Sequence, residues 1–503
     1  MKVSVVAHPQ FVVADIDPRL YGSFIEHLGR AVYTGIYEPG HEAADQNGMR
    51  QDVTDLVKEL DVPIVRYPGG NFVSAYNWED GVGPKEERPV RLDLAWHTSE
   101  SNEVGLHEFA DWCVSANTEM MLAVNLGSRG LDEARNMLEY ANHPGGSEWS
   151  DKRIANGREE PFDVKLWCLG NEMDGPWQIG HKTADEYGRL AHETAKAMRA
   201  FDSSLELVVC GSSNAKMPTY PEWEATVLDH TYNEVDYISL HMYFENHAND
   251  VGNYLAMNQK LDDYIMSVAG VIDYIKAKKR SSRQVYISFD EWNVWYHSKE
   301  QDKKTLAGAD GWPFAPPLLE DIYNFEDVLQ VGLILNTFIR RSHVVRIACL
   351  AQLVNVIAPI MTAPNGPAWR QTIFYPFLFA SRYGRGKALD LKVNSPTYKS
   401  DTAGEVSCLD VSAVHDEEAG FVSFFVVNRS ENEIDADFDI AAFGSASSIA
   451  DHQVMTHADL KAVNTQAHTD NVVPKKTDTA RLSEGRLSAT CAPYSYQMVR
   501  IKV

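Results

Sequence analysis

Two stretches of the chain place carboxyl groups where a buried strand gives out. Leu166-Trp167-Cys168-Leu169 runs into Gly170-Asn171-Glu172, and Val285-Tyr286-Ile287-Ser288-Phe289 runs into Asp290-Glu291-Trp292-Asn293. Two Glu-bearing strand ends, far apart in sequence, match what retaining glycoside hydrolysis needs. One carboxylic acid protonates the leaving oxygen, and one carboxylate attacks the anomeric carbon. On this reading Glu172 is the general acid/base and Glu291 the nucleophile, with carboxyl groups about 5–5.5 Å apart. Glu291 must be ionised, so donors such as Arg66 and Tyr243 should surround it. Glu172 must hold its proton, which calls for burial or the nearby charge of Glu291. Taken singly, each motif has an ordinary alternative: a Glu paired with a structural Arg, or an exposed acidic turn.

Further residues gather at comparable places. Asn171 can hydrogen-bond the sugar hydroxyl beside the reacting carbon. Arg66-Tyr67-Pro68-Gly69-Gly70-Asn71 sets an Arg and an Asn around a Gly-Gly turn where backbone can approach a ligand. A phosphate cradle would need a GxxxxGK[ST] pattern, which the stretch lacks. His241-Met242-Tyr243 can position the nucleophile, although a lone His is more often a satisfied core residue. Trp96, Trp177 and Trp295 can line sugar sites or simply pack. No HExxH or comparable His/Cys spacing occurs, so no metal and no cofactor are expected.

The elements that must position these groups repeat. Candidate strands are 20–27, 62–69, 119–126, 164–172, 205–212, 235–243, 284–293 and 346–355, mostly continuous apolar runs of the kind parallel strands show when covered on both faces. Helical patterns lie between them, the clearest over 183–202, where Thr183 and Glu186 form a capping box. Helices are also expected at 132–142, 253–279 and 326–341. Eight strands in βα order point to an α/β fold, a (β/α)8 TIM barrel. An open doubly wound sheet also alternates, but polar residues at the C-terminal end of nearly every strand favour the barrel, whose active sites sit there. Beyond Gly386 short β-rich runs take over, reading as a C-terminal antiparallel β-sandwich, jelly-roll-like, over 386–503. The catalytic barrel is expected at 18–385, with the strands of 1–17 joining the sandwich. The Lys- and Thr-rich segment around 460–480 reads as an exposed loop.

A net charge of −25 argues against nucleic acid or an anionic membrane as partner. Six scattered cysteines, with no CxxC pair, read as buried free thiols of a reducing compartment. No secretory leader is evident, and no apolar stretch approaches the roughly 20 residues of a membrane span. A cytoplasmic enzyme acting on a small neutral substrate is expected.

The chain resembles, essentially full length, the α-L-arabinofuranosidases of glycoside hydrolase family 51, a family of retaining (β/α)8 glycosidases. The resemblance rests on Tyr21-Gly22-Ser23-Phe24-Ile25-Glu26-His27, Arg66–Phe72, Trp167–Gly175, Asp290–Trp295 and Ala315–Asn324. It implies Glu172 as acid/base on the fourth strand and Glu291 as nucleophile on the seventh. It further implies that Glu26, Arg66, Asn71, Asn171, Tyr243 and Gln352, with His241 alongside, hold the arabinofuranose. A C-terminal β-sandwich, a homohexamer and exo-action on arabino-oligosaccharides from arabinan or arabinoxylan are also implied. The rival expectations are another retaining barrel glycosidase (a β-xylosidase or an endoglucanase) and a non-catalytic sugar-binding protein on the same scaffold.

Overall fold

The computed structural model describes residues 1–308, 311–444 and 447–503. Eight parallel strands close into a barrel: β1 (Gly22–Phe24), β2 (Ile64–Tyr67), β3 (Glu119–Val124), β4 (Leu166–Leu169), β5 (Glu206–Cys210), β6 (Tyr237–Phe244), β7 (Tyr286–Val294) and β8 (Val345–Ala351). They are hydrogen-bonded in chain order, and β8 returns to β1 through Cys349 opposite Gly22. An open doubly wound sheet is thereby excluded. The strands are apolar on both faces because helices cover them outside and side chains fill them inside. The covering helices include α1 (Gln51–Leu60), α2 (Leu106–Ala116), α3 (Leu131–Asn142), α4 (Ala184–Phe201), α5 (Glu222–Thr231), α6 (Asn258–Lys279), α7 (Phe325–Arg340) and α8 (Phe374–Tyr383). Helix α4 starts at the capping box: Thr183 N–H donates to Glu186 Oε2 at 2.9 Å, and Glu186 N–H donates to Thr183 Oγ1 at 3.3 Å.

Strand β7 carries an irregularity that matters for the site. Ser239 and His241 of β6 face Ser288 and Glu291 of β7, so β7 has one residue more than its neighbour across this interval. The β8 ladder shows the same excess, with Ala348 and Leu350 facing Phe289 and Trp292. Consecutive strand residues normally point to opposite faces. A bulge suspends that alternation. Asp290 and Glu291 are both buried, and both reach the inside of the barrel mouth. The acidic pair is therefore part of the strand and not an exposed turn after it.

Beyond the barrel lie a seven-stranded and a five-stranded sheet. The seven-stranded sheet is antiparallel throughout, and Val12–Asp15 pairs into it against Lys387–Leu389. The five-stranded sheet departs from the expected antiparallel pattern. There Lys2–Val6 is inserted between Lys392–Asn394, to which it is antiparallel, and Ile434–Asp439, to which it is parallel, because a strand arriving from the far end of the chain is not bound to the antiparallel sense of a local hairpin. The segment around 460–480 also differs from expectation. Ala462, Asn464 and Val472 are buried, Glu326 N–H donates to the Leu460 carbonyl, and Lys461 pairs with the buried Glu326 at 2.8 Å. Its small apolar residues and one lysine tie it across the start of α7.

All six cysteines are buried and unpaired. Among the described residues, no helix is long and apolar enough to cross a membrane. A cavity of about 650 Å³ lies between the barrel and the sheets, lined by Arg340, Arg341, His343 and Asp410 among others, and holds none of the candidate residues.

Candidate active site

The candidate residues converge at the C-terminal mouth of the barrel. Glu172 follows β4 after a sharp turn. Gly170 has φ 90° and Glu172 itself φ 45°, a left-handed conformation that costs a non-glycine residue roughly 1–2 kcal/mol. Such strain persists where surrounding structure enforces it, and it clusters at functional positions. Here the enforcement is visible: His241 Nδ1 lies 2.8 Å from Glu172 Oε1, and Trp177 Nε1–H donates to Glu172 Oε2 at 2.8 Å.

Glu291 is held by two donors. Arg66 Nη1 reaches Oε1 at 2.8 Å and the Tyr243 hydroxyl reaches Oε2 at 2.9 Å. Arg66 is 1% exposed, and its other amino group donates to Asn171 Oδ1. Burial works against the guanidinium charge, but Asp290 and Glu291 overcome it and keep Arg66 charged. With Oδ1 occupied, the buried Asn171 Nδ2 has no partner among the described residues, leaving a donor free. A side-chain oxygen of Glu172, one of Glu291 and a ring nitrogen of His241 all lie within 4.8 Å of one another.

His241 stands among three carboxylates. Its Nε2 is 2.9 Å from Asp290 Oδ1, and its Nδ1 is also 3.4 Å from Glu291 Oε2. Burial opposes protonation, yet Glu291, Asp290 and Glu172 together push the imidazole up to about 10. With a carboxylate facing each ring nitrogen, His241 is arranged as a donor from both. The same groups act on Tyr243, whose phenol is raised well above its ordinary value by burial first and Glu291 second, so it stays a donor.

Glu26 sits across the mouth. Its Oε1 accepts from the Phe72 N–H and from Trp96 Nε1–H, each at 2.9 Å, and Gln352 Nε2 is 3.4 Å from Oε2. Burial pushes its carboxyl up to about 8, against the lowering effect of the Phe72 and Trp96 donors. The Gly-Gly turn explains how it fits: a Cβ on Gly70 would stand 2.6 Å from Glu26 Oε2, and one on Gly69 would stand 2.8 Å from its Cγ. The close approach anticipated at this turn is made to Glu26.

Trp295 meets the Tyr243 ring edge-on at 5.5 Å, and its own N–H is buried without a partner. Asn71 begins a short 3-10 helix, is half-buried, and makes no side-chain hydrogen bond among the described residues. Sequence reasoning gave Asp290 no role and gave Trp177 only a possible place lining the sugar site. Asp290 orients His241 and lies 3.8 Å from Arg66 Nε. Trp177 grips Glu172 directly, beyond lining the site.

A closed parallel barrel with two opposed glutamates at its C-terminal mouth, one gripped by Arg and Tyr, defines a barrel glycoside hydrolase. Two families match the sequence: the α-L-arabinofuranosidase 1 domain over residues 56–259 and the α-L-arabinofuranosidase C-terminal domain over 290–495. An intracellular exo-α-(1→5)-L-arabinofuranosidase of Bacillus subtilis is 55% identical over 501 residues, covering 100% of this chain and 99% of that one. An exo-α-(1→6)-L-arabinofuranosidase of Bifidobacterium longum is 50% identical, covering 99% and 97%. The solved structure of a family 51 α-L-arabinofuranosidase from Bifidobacterium longum superposes with a TM-score of 0.95 at 44% identity, covering 99% of each chain. The chain belongs to the α-L-arabinofuranosidases of glycoside hydrolase family 51.

Proposed function

We propose that this enzyme removes terminal α-L-arabinofuranosyl residues from the non-reducing ends of arabino-oligosaccharides in two steps with net retention. The observation that carries the proposal is the approach of Glu172 and Glu291. Their nearest oxygens lie within 4.8 Å, which fits the short separation of retaining enzymes and not the roughly 6.5–9.5 Å that leaves room for an inverting water. In the first step the Glu291 carboxylate attacks the anomeric carbon while Glu172 gives its proton to the departing glycosidic oxygen. Arg66 and Tyr243 hold the attacking carboxylate, and the free Asn171 amide donates to the hydroxyl beside the reacting carbon, a contact that strengthens as positive charge builds there. In the second step Glu172 takes a proton from water, the water attacks the same carbon, and Glu291 leaves. Glu26, with Trp96, Gln352 and Asn71, completes the sugar pocket, and Trp295 forms its wall beside Tyr243.

The similarity to an intracellular exo-α-(1→5)-L-arabinofuranosidase supports an intracellular, cytoplasmic enzyme with α-(1→5) linkages as first choice, and the similarity to an exo-α-(1→6)-L-arabinofuranosidase makes α-(1→6) linkages the comparison to run beside them. In this reading residues 18–385 form the catalytic barrel, 1–17 and 386–503 form its companion, and six chains assemble. Light scattering at six times 56.4 kDa tests the assembly. The decisive experiment follows the first-formed arabinose by proton NMR. α-Arabinofuranose appearing first supports double displacement, and β-arabinofuranose appearing first overturns it.

A further inference from the structure

Both oxygens of Glu172 are already taken. Oε1 lies 2.8 Å from His241 Nδ1 while Nε2 lies 2.9 Å from Asp290 Oδ1, and a ring with a carboxylate at each nitrogen is arranged as a doubly protonated imidazolium that donates to both. Oε2 accepts the Trp177 indole N–H at 2.8 Å. A carboxyl group receiving one donor on each oxygen is arranged as an ionised acceptor. That is the form needed to take a proton from water in the second step. To protonate a glycosidic oxygen in the first step, one oxygen must instead carry and offer a proton. His241 cannot yield, being buried at 2% exposure between carboxylates. Trp177 can. It is 48% exposed and lies on the loop after β4. Its ring rests on the Gly175 backbone so closely that a Cβ there would stand 2.6 Å from indole Cε2 and 3.0 Å from Nε1.

We propose that Trp177 is a positioning residue that holds Glu172 in its base-ready state, and that the leaving group displaces the indole from Oε2 so that Glu172 can act as acid. This rests on Glu172 being the acid/base, as proposed above. In the empty enzyme the indole occupies the oxygen that must meet the glycosidic oxygen. A leaving sugar arriving over Gly175 takes that place, Oε2 freed of the indole takes up a proton from solvent, and that proton passes to the glycosidic oxygen as its bond to the anomeric carbon breaks. Once the sugar departs, the indole returns and its N–H stabilises the carboxylate that deprotonates water.

Two variants separate this from a packing role. Trp177→Phe keeps the ring and removes the N–H. Gly175→Ala keeps the N–H and pushes the ring aside. Gly175 does not occupy the left-handed region, so alanine brings only the displacement. Both are read in the pH profile of kcat/KM for an unactivated arabinobiose. The groups facing Glu172 are His241 and Tyr243 on β6, Glu291 on β7, Asp174 on its own loop and Tyr264 on α6, with Asp290 and Arg66 behind them. Neither variant replaces any of these.

Losing a donor to a carboxylate favours the protonated form, so the alkaline limb is expected to move up by about one pH unit in both variants. A rise in KM with the limb unmoved in both variants means that Trp177 only packs against sugar, and overturns the inference. A shift in Trp177→Phe without one in Gly175→Ala overturns the displacement step. Glu172→Ala run beside them isolates the underlying reading: if that variant retained full turnover of the unactivated substrate, the acid/base assignment itself would fail.

Discussion

Replacing Arg66 by lysine tests whether the fork geometry of the guanidinium, and not merely a positive charge, prepares the nucleophile. Arg66 is 1% exposed, and its two amino groups divide between Glu291 and Asn171 while its plane lies 4.7 Å over the Phe24 ring. Lysine brings one compact ammonium on a shorter arm, so it can serve one of the two partners and forfeits the stacking. A hydrogen bond involving a charged group contributes about 1.5–3 kcal/mol, which at 1.4 kcal/mol per decade corresponds to a loss of roughly 10- to 150-fold in kcat/KM. Because Arg66 acts on the attacking carboxylate and not on the leaving oxygen, the loss should be equal for a nitrophenyl arabinofuranoside and for an arabinobiose. The assay is steady-state hydrolysis of both, with a melting curve to establish that the variant is folded. A folded Arg66→Lys enzyme within threefold of the parent on both substrates would refute the reasoning. A loss confined to arabinobiose would show Arg66 serving the acid instead.

Glu172→Ala should divide the same two substrates. Turnover of the unactivated disaccharide falls by about 10²–10⁴-fold, while attack on the nitrophenyl glycoside, whose leaving group needs little proton donation, is largely spared; equal losses would count against the assignment. Burial raises Glu26 to about 8, so the folded protein holds a proton there that the unfolded chain releases near its ordinary value. Stability drawn from that group is present at low pH and is lost as pH rises from about 4.5 to about 8. The parent's melting temperature should therefore fall more steeply across this window than that of Glu26→Gln, and parallel curves would contradict it. Gly70→Ala places a methyl group 2.6 Å from Glu26 Oε2, too close for either to stay, so KM for the arabinofuranoside should rise by about tenfold or more, and an unchanged KM would show that the pocket tolerates a displaced Glu26.

The barrel was legible because its strands are continuous apolar runs ending in polar residues, a pattern that survives without any knowledge of contacts. Glu172, Glu291, Arg66 and Tyr243 were legible for the same reason, each standing at or near a strand end. Asp290 was not. By strand alternation it should point away from Glu291, and only the extra residue in β7 turns both inward. A bulge leaves no compositional mark here, since neither glycine nor proline accompanies it. Trp177 was visible as a possible sugar platform, but its grip on Glu172 depends on the left-handed turn at Glu172, which no residue type announces. The segment at 460–480 was misjudged because its many polar residues outweigh Ala462 and Val472, the few that pack. The parallel pairing of Lys2–Val6 joins residues more than 400 positions apart and has no local signature.

Helix α7 has a further consequence. Every residue from Phe325 to Ile339 is buried. One side faces the barrel, and the other meets the seven-stranded sheet, where Asn336 donates to Asp410 at 2.8 Å and Gly332 makes room for the Tyr496 ring. A helix buried all round has no water-facing side to fall back on. Cutting the chain near Gly386 would strip that covering and expose a continuous greasy surface on the very element that follows the nucleophile strand. The barrel is thus not a portable module: trimmed, shuffled or fused without its β-rich companion, it would leave that helix face bare to water.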